Sequence, residues 1–502
     1  MNEIMLGLTN VLSIASILAI VGGMSLGLFV GSMPGLSATM AIAILLPLTF
    51  GMDPATGITM LTSLYMGAMY GGSILAILVN TPGTPAAAAT TLDGYKMTEN
   101  GQAGKALGIS LTASLVGGVI SSIVLLTVAP VLGQVALKIG AVELFAIAVL
   151  GLTIIGSLST GSVIKGLLSG VIGILISLIG MDPITGTTRF TFGSVNLFDG
   201  ISFVVALIGL FSIPQAFKLI EKDKEKVKAS RIKGKMLPSW KEVKLLKTTL
   251  VRSGVIGVFT GLIPGTGGDT ASWFSYNEAK RFSKEKNKFG TGYAEGLAAP
   301  EAANNAVVGG ALIPTITLGV PGSSTTAVLL GALMIHGIMP GPTLMTEYAN
   351  VTYTLLWAVL FSTIFLFGLG LLYTRIAVGV TKIPGRILAP IIVLMSVIGT
   401  FAVNNSMFDV MIMFTFGIVG YFMDKLNISV APMVIGLILG SMLDTSLHQS
   451  LTIGDGDWLV FLRNPTSAIL LFIALVSILQ STPLFNKVKN IFKKNDSHDH
   501  AS

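Results

Sequence analysis

Most of this chain is written in long apolar runs, with little alternation of polar and apolar positions. The runs at 107–128, 163–179, 201–217 and 351–373 have the ~17–25 residues with which a helix crosses a hydrocarbon core of roughly 30 Å. A shorter apolar run follows at 468–480. Pro-Gly pairs interrupt the pattern, four of them within repeated motifs: Pro34-Gly35, Pro82-Gly83, Pro264-Gly265 and Pro321-Gly322. Proline cannot extend a helix ladder and glycine turns freely, so each pair predicts a break between two short helices. The most polar stretch inside the apolar part is 293–308, YAEGLAAPEAANNAVV, where Pro300 predicts a further break.

Composition turns this pattern into a fold class. The 502 residues are 52% hydrophobic and 11% charged, with a mean hydropathy of +0.82. A soluble protein of this length needs more charge to coat its surface. The expectation is therefore an all-α polytopic membrane protein of about 10–12 transmembrane helices plus re-entrant hairpins. The 59 glycines suit helices packed closely in a membrane. The absence of cysteine excludes disulfides and thiolate metal sites. Of the four histidines, His336, His448, His498 and His500, two lie in the tail, and no metal cluster is expected from them. No G-x-x-x-x-G-K-[ST] string occurs, so nucleotide hydrolysis by this chain is not expected. The start, MNEIMLGLTN, has no basic residue or cleavage site and reads as a retained segment. Residues 1–21 either span the bilayer or lie at its surface.

Charge supplies orientation. The net charge of +7 is concentrated and is not a nucleic-acid-binding face. Residues 218–247 hold eleven Lys/Arg and four Asp/Glu, and the tail adds Lys487, Lys489, Lys493 and Lys494. Basic loops stay in the cytoplasm, so both segments are expected inside. The basic segment also separates two similar halves. GLFVGSMPGLSATMA at 27–41 and GVFTGLIPGTGGDTA at 257–271 share six of fifteen residues at an offset of 230. NTPGTP at 80–85 and GVPGSS at 319–324 follow at an offset of 239. Two pairs in the same order predict an internal duplication. The division is 1–217 as the first half, with hairpins near 22–50 and 73–92, and 218–252 as a basic cytoplasmic linker. Then come 253–486 as the second half, with hairpins near 253–279 and 310–333, and 487–502 as a cytoplasmic tail. The 253–279 hairpin is flanked by Lys247 and Arg252 on one side and by Lys280 and Arg281 on the other, whereas its counterpart has no flanking Lys or Arg. The second hairpin pair shows the reverse, with Asp93, Lys96 and Lys105 after the first-half copy. Each motif thus changes side between the halves, which is an inverted-topology repeat.

Broken helices at mid-membrane are tolerated where they line a cavity, because free backbone groups are costly in lipid. Each break also supplies a helix N-terminus, whose N–H groups and dipole suit an anion. Hydroxyls crowd these positions. The candidate substrate- and ion-binding residues are Gly35, Ser37 and Thr39; Asn80, Thr81, Pro82, Gly83 and Thr84; Thr266, Gly267, Gly268, Asp269 and Thr270; and Pro321, Gly322, Ser323, Ser324 and Thr325. Asp269 either coordinates the ion or caps its helix. Glu301, Asn304 and Asn305 fall within about one helical turn of one another and join the set. Carbonyls before the breaks offer a place for a cation such as Na⁺, with ligands unassigned. Packing glue between helices is the alternative role for any single hydroxyl.

The strings GSMPGLSATMAIAILLPLTFGMDP, GGSILAILVNTPGTPAAAATTLDGYKM, GLIPGTGGDTASWFSYNEAKR, EGLAAPEAANNAVVGGALIPTITLGVPGSS and GIMPGP resemble the large membrane subunit of the tripartite tricarboxylate transporters, over essentially residues 15–460. The resemblance implies a small four-helix membrane subunit and a periplasmic solute-binding protein as partners. It implies secondary transport in a bacterial inner membrane, driven by a Na⁺ or H⁺ gradient, with citrate or a related carboxylate as cargo and no cofactor besides the coupling ion. Similarity to other two-hairpin carriers implies an elevator-type movement of the hairpin-bearing part. Homo-oligomers and lipid contact are compatible with it. The alternatives are a carrier for another small organic anion, a channel, and an intramembrane protease. The last rests on Gly454-Asp455-Gly456-Asp457, which matches G-x-G-D but sits in a polar stretch. The protein is not expected to be an enzyme.

Overall fold

The computed structural model describes residues 2–33, 35–157, 163–182, 184–221, 236–380 and 385–480. Pro34, most of the basic linker (222–235) and the tail from 481 lie outside the described residues. The chain opens with α1 (Asn2–Val11) and α2 (Ile14–Gly31), a break, and α3 (Ala38–Leu45). α4 (Pro54–Val79) ends at a second break, before α5 (Thr90–Glu99) and α6 (Ala103–Ala136). α7 (Ala141–Ser157) and α8 (Val163–Ser177) lead to strands β1 (Gly180–Met181) and β2 (Thr188–Arg189), then to α9 (Phe203–Glu221). The strands pair antiparallel, Gly180 with Arg189 and Met181 with Thr188. α10 (Trp240–Leu262) and α11 (Gly267–Phe282) flank the third break, and α12 (Ala294–Leu318) and α13 (Ser324–Ile335) the fourth. α14 (Ala349–Val380), α15 (Gly385–Asn404), α16 (Met407–Lys425), α17 (Ala431–Ile453), α18 (Val460–Arg463) and α19 (Pro465–Gln480) complete the order.

Among the described residues, nine helices are long and apolar enough to cross a bilayer, and five shorter apolar helices accompany them. Their outward faces carry Ile14, Leu18, Phe259 and Met411, each more than 60% exposed. In water so many exposed apolar groups would drive aggregation; in a bilayer they face hydrocarbon. The protein is a multi-pass membrane protein. Near the N-terminus, the span is α2, whose N-cap Ser13 accepts from the Ser16 N–H. The helix that precedes the first break begins at residue 14. α1 lies on α14, where Trp357 Nε1 donates to the Ile4 carbonyl at 2.9 Å.

The chain forms two compact units. The first comprises residues 1–137 and 204–421. Its centre is α4 and α12, buried on nearly every side. α2 packs along α4 through Gly27 and Gly31, which face the carbonyls of Leu64 and Ala68. α10 packs along α12 through Gly257 and Gly261, which face the carbonyls of Ala303 and Val307. These contacts differ by 230 on one helix and 239 on the other, the two offsets of the sequence motifs. Contacts between the halves come in pairs with the roles exchanged: α2 with α14 and α10 with α6; α4 with α14 and α12 with α6; α3 with α13 and α11 with the 3₁₀ turn Pro85–Ala87. An approximate two-fold arrangement has this property.

Pro300 does not break its helix. α12 runs continuously through both Pro300 and Pro314. Pro300 leaves the Gly296 carbonyl without its helix donor, yet the helix is held on nearly every side by its neighbours. Ser275 and Ser272 of α11 donate to the carbonyls of Ala299 and Pro300, at 2.9 and 3.3 Å, and tie this stretch of α12 to α11.

The second unit comprises residues 138–203 and 422–502. Within it α17 packs against α7 and α8, and α19 against α7. Glycines again allow the approach: Gly173 faces the Met433 carbonyl and Gly436 the Gly170 carbonyl.

Candidate functional site

The four helix breaks meet inside the first unit. Gly35 and Gly265, which follow the prolines of the first and third breaks, have φ of 84° and 81°, the left-handed region open to glycine. Gly83 and Gly322 lie so close to α2 and α10 that a Cβ would stand 2.5 Å from the Gly31 carbonyl and 2.6 Å from the Gly261 carbonyl. The first and second breaks are thereby packed together, as are the third and fourth. The Gly265 N–H also donates to the Gly322 carbonyl at 2.9 Å. The remaining contacts cross the halves. Thr39 Oγ1 is 2.8 Å from Thr325 Oγ1 and 3.2 Å from Ser324 Oγ. Gly268, in the first turn of α11, abuts Ala86 beyond the second break.

The hydroxyls divide by role. Ser37 caps α3 by accepting from the Met40 N–H at 3.2 Å, and Ser323 caps α13 through a reciprocal pair with Thr326. Thr266 is turned back, donating to the carbonyls of Thr260 and Ile263. Thr84 is buried and its Oγ1 has no protein partner. Asn80, Thr81, Pro82 and Thr270 are exposed, whereas Pro321, Gly322 and Thr325 are buried. Asp269 is partly buried in the first turn of α11, with its Oδ1 beside Gly267. An acid in that position complements the helix dipole.

The polar residues of α12 separate on to two flanks. Asn304 faces the breaks: its Nδ2 donates to the Met69 carbonyl at 3.5 Å, and a Cβ on Gly268 would stand 3.0 Å from its Oδ1, which has no hydrogen-bond partner. Glu301 and Asn305 face α5 and α6. Glu301 accepts from Thr90 Oγ1 and, at 2.6 Å, from Ser110 Oγ. Asn305 Nδ2 donates to Ser114 Oγ at 2.7 Å. A helix advances ~100° per residue, so 304 lies about 100° round the helix from 305, with 301 between them, and it is their partners that separate 301 and 305 from 304.

Three residues enter the site unannounced by motif reading. Tyr65 is fully buried in α4 with its hydroxyl 3.4 Å from Ser323 Oγ. It stands 239 positions before Asn304, so the repeat offset was a usable signal. Gln215 of α9 brings its side-chain amide against Gly35, where a Cβ would meet Nε2 at 2.8 Å; only the tertiary fold reveals it. Asp93 is buried at the start of α5 and accepts from Tyr276 and from the N–H groups of Gly290, Gly292 and Tyr293, all within 3.0 Å. It ties α5 to the loop before α12.

The second unit has its own polar cluster. Arg189 pairs with Asp182 and, at 2.8 Å, with Asp444. Ligand atoms of Asp182, Asp444 and His448 lie within 4.8 Å of one another, a grouping that histidine spacing did not predict. The guanidinium already supplies the positive charge between the two carboxylates. The adjoining cavity, about 50 Å³, has room for a few waters at most. Near the G-x-G-D string, Asp457 pairs with Arg463 at 2.9 Å and accepts from the Leu459 N–H.

Helices long and apolar enough to cross a bilayer, packed around a converging set of broken ones, define a multi-pass membrane protein, and its family makes it a transport protein. The chain belongs to the tripartite tricarboxylate transporter TctA family, whose pattern matches residues 17–435. It is 36% identical over 478 residues to the "uncharacterized 52.8 kDa protein in TAR-I ttuC' 3'region" of Agrobacterium vitis, covering 95% of each chain. It is also 36% identical over 223 residues to the "uncharacterized protein in TAR-II ttuC' 3'region" of the same organism, covering 44% of this chain and 92% of that one.

Proposed function

We propose that this protein is the large membrane subunit of an ion-gradient-driven tripartite carrier in a bacterial inner membrane, importing citrate or a related carboxylate. The observation that carries the reading is the meeting of four helix breaks, with Asn304 beside the third. Helix N-termini of α3, α11 and α13 supply N–H groups, and Thr39, Thr84, Ser323, Ser324 and Thr325 supply hydroxyls. Such donors bind a carboxylate without burying a fixed positive charge. A periplasmic binding protein would deliver the cargo, and a small four-helix membrane subunit would complete the assembly. The basic linker and the tail are assigned to the cytoplasm. In this reading the four breaks are tips of re-entrant hairpins in an inverted repeat. An elevator-type displacement of the hairpin-bearing helices then moves the site between the two faces.

The test is uptake of labelled citrate and other carboxylates by proteoliposomes holding the whole tripartite system. Accumulation is expected only with binding protein present and a Na⁺ or H⁺ gradient imposed. Equal accumulation with both gradients collapsed would overturn ion coupling. Non-saturable flux without counterflow would favour a channel.

A further inference from the structure

Glu301 is fully buried, yet its partners are neutral hydroxyls, Thr90 and Ser110 with Ser73 and Ser114 beside them, and among the described residues it makes no ion pair. Asp93, equally buried, differs: it accepts from three backbone N–H groups and a tyrosine. An ionised carboxylate removed from water without a counter-charge is costly by several kcal/mol. Its surroundings supply oxygens: the hydroxyls of Ser110, Thr90, Ser73 and Ser114, and Asn305, a buried amide whose Nδ2 bonds Ser114 and whose Oδ1 has no partner. Carboxylate, amide and hydroxyl oxygens form the donor set that a hard cation takes.

The titratable groups on the packed helices do not neutralise it. Lys105 of α6 pairs with Glu242 of α10. Arg252 of α10 stacks over Phe282, 4.9 Å from the ring centre. Tyr276 of α11 is held by Asp93 of α5, Tyr70 of α4 donates to the Leu107 carbonyl, and Tyr65 faces Ser323. Asp269 of α11 lies at the third break. Of the other charged residues on these helices, Lys96 and Glu99 of α5 are exposed and paired with each other, and Arg281 of α11 pairs with Glu278. Lys241, Lys244 and Lys247 lie in the first turns of α10 and Lys280 in the last turn of α11. Nor does the fold demand an acid here. The positions 239 residues earlier, in α4, are Thr62 and Met66.

We propose that Glu301, Asn305, Thr90, Ser110 and Ser114 form the site that takes up the coupling cation, one positive charge arriving as a proton or as Na⁺. This rests on the reading of the protein as an ion-coupled carrier. The site lies on a different flank of α12 from Asn304, which faces the helix breaks about 4.5 Å further along the axis. A charge gained at Glu301 therefore strengthens anion binding at the breaks, and by linkage the anion strengthens cation binding equally.

The experiment uses the purified full chain in nanodiscs. Retention of ²²Na⁺ is measured, and infrared difference spectra follow carboxyl protonation across pH in sodium-free buffer. Saturable ²²Na⁺ retention or a titrating protonated-carboxyl band is expected, and Glu301→Gln is expected to abolish whichever is seen. The first result identifies Na⁺ and the second a proton. Ser110→Ala, a small change, should weaken Na⁺ binding about tenfold, or move the carboxyl titration by about one pH unit, through loss of a hydrogen bond to a charged group. If Glu301→Gln does not insert, the Ser110→Ala shift decides. Retention or titration unchanged in the variants, or neither signal in the wild-type protein, overturns the site. Loss of ion dependence in the uptake assay alone would overturn the transport reading while leaving this measurement to stand.

Discussion

At the scale of single residues, the breaks depend on atoms that are absent. Gly322 and Gly83 have no room for a side chain, because the obstructing atoms are backbone carbonyls of α10 and α2. Gly322→Val and Gly83→Val are each expected to cost ~1–3 kcal/mol by overpacking and to abolish uptake while the protein still inserts. Thermal unfolding in detergent and proteoliposome uptake check this, and full activity in both variants would show that the breaks are not the site. Thr39 and Thr325 hold the first and fourth breaks together across 286 residues of sequence. Thr39→Val and Thr325→Val in a double-mutant cycle should show ~0.5–1.5 kcal/mol of coupling. A coupling near zero would mean that the hydroxyls bond elsewhere in the membrane. Pro-Gly pairs and hydroxyls were legible as candidates because break chemistry is local. Tyr65 was legible only through its 239-residue offset from Asn304, and Gln215 not at all, because a lone glutamine in an apolar run carries no local signal.

At the scale of elements, α12 shows how packing overrides propensity. Pro300 predicts a break from its own chemistry, yet the helix continues, packed on nearly every side and tied to α11 by two serine donors. The same helix divides its polar residues, with Asn304 toward the breaks and Glu301 and Asn305 toward α5 and α6. The sequence places the three within one turn, whereas helix rotation, set by the neighbours, assigns their partners. Asp93 is the second element-scale device. Its carboxylate gathers four donors and clamps the start of α12 to α5. Asp93→Ala strands those donors and is expected to destabilise the first unit by ~3 kcal/mol or more. Proteolysis near Thr291 should accelerate together with a lower unfolding temperature. An unchanged cleavage rate would show that the loop is held by other contacts.

At the scale of the molecule, the two units have separate supports. In the second, Arg189 joins the β-hairpin to α17 through Asp182 and Asp444. Arg189→Met leaves two carboxylates facing each other and should cost ~3–5 kcal/mol locally. Hydrogen exchange is expected to rise in α17 and to stay unchanged in α4, and equal loosening of both would mean that the units unfold as one. The sequence by itself determined that the chain lives in a bilayer, that its helices break at four Pro-Gly pairs, and that two motif pairs recur at offsets of 230 and 239. Hydropathy, Pro-Gly chemistry and self-similarity are properties of residues in order, and they need no partner to be read. Only the tertiary structure decided that the four breaks meet and that Gly27 and Gly257 press on equivalent carbonyls. It also decided that Glu301 and Asn304, three positions apart, serve different surroundings. Those are facts about contacts between residues often more than 200 positions apart, and about helix rotation, which packing alone sets.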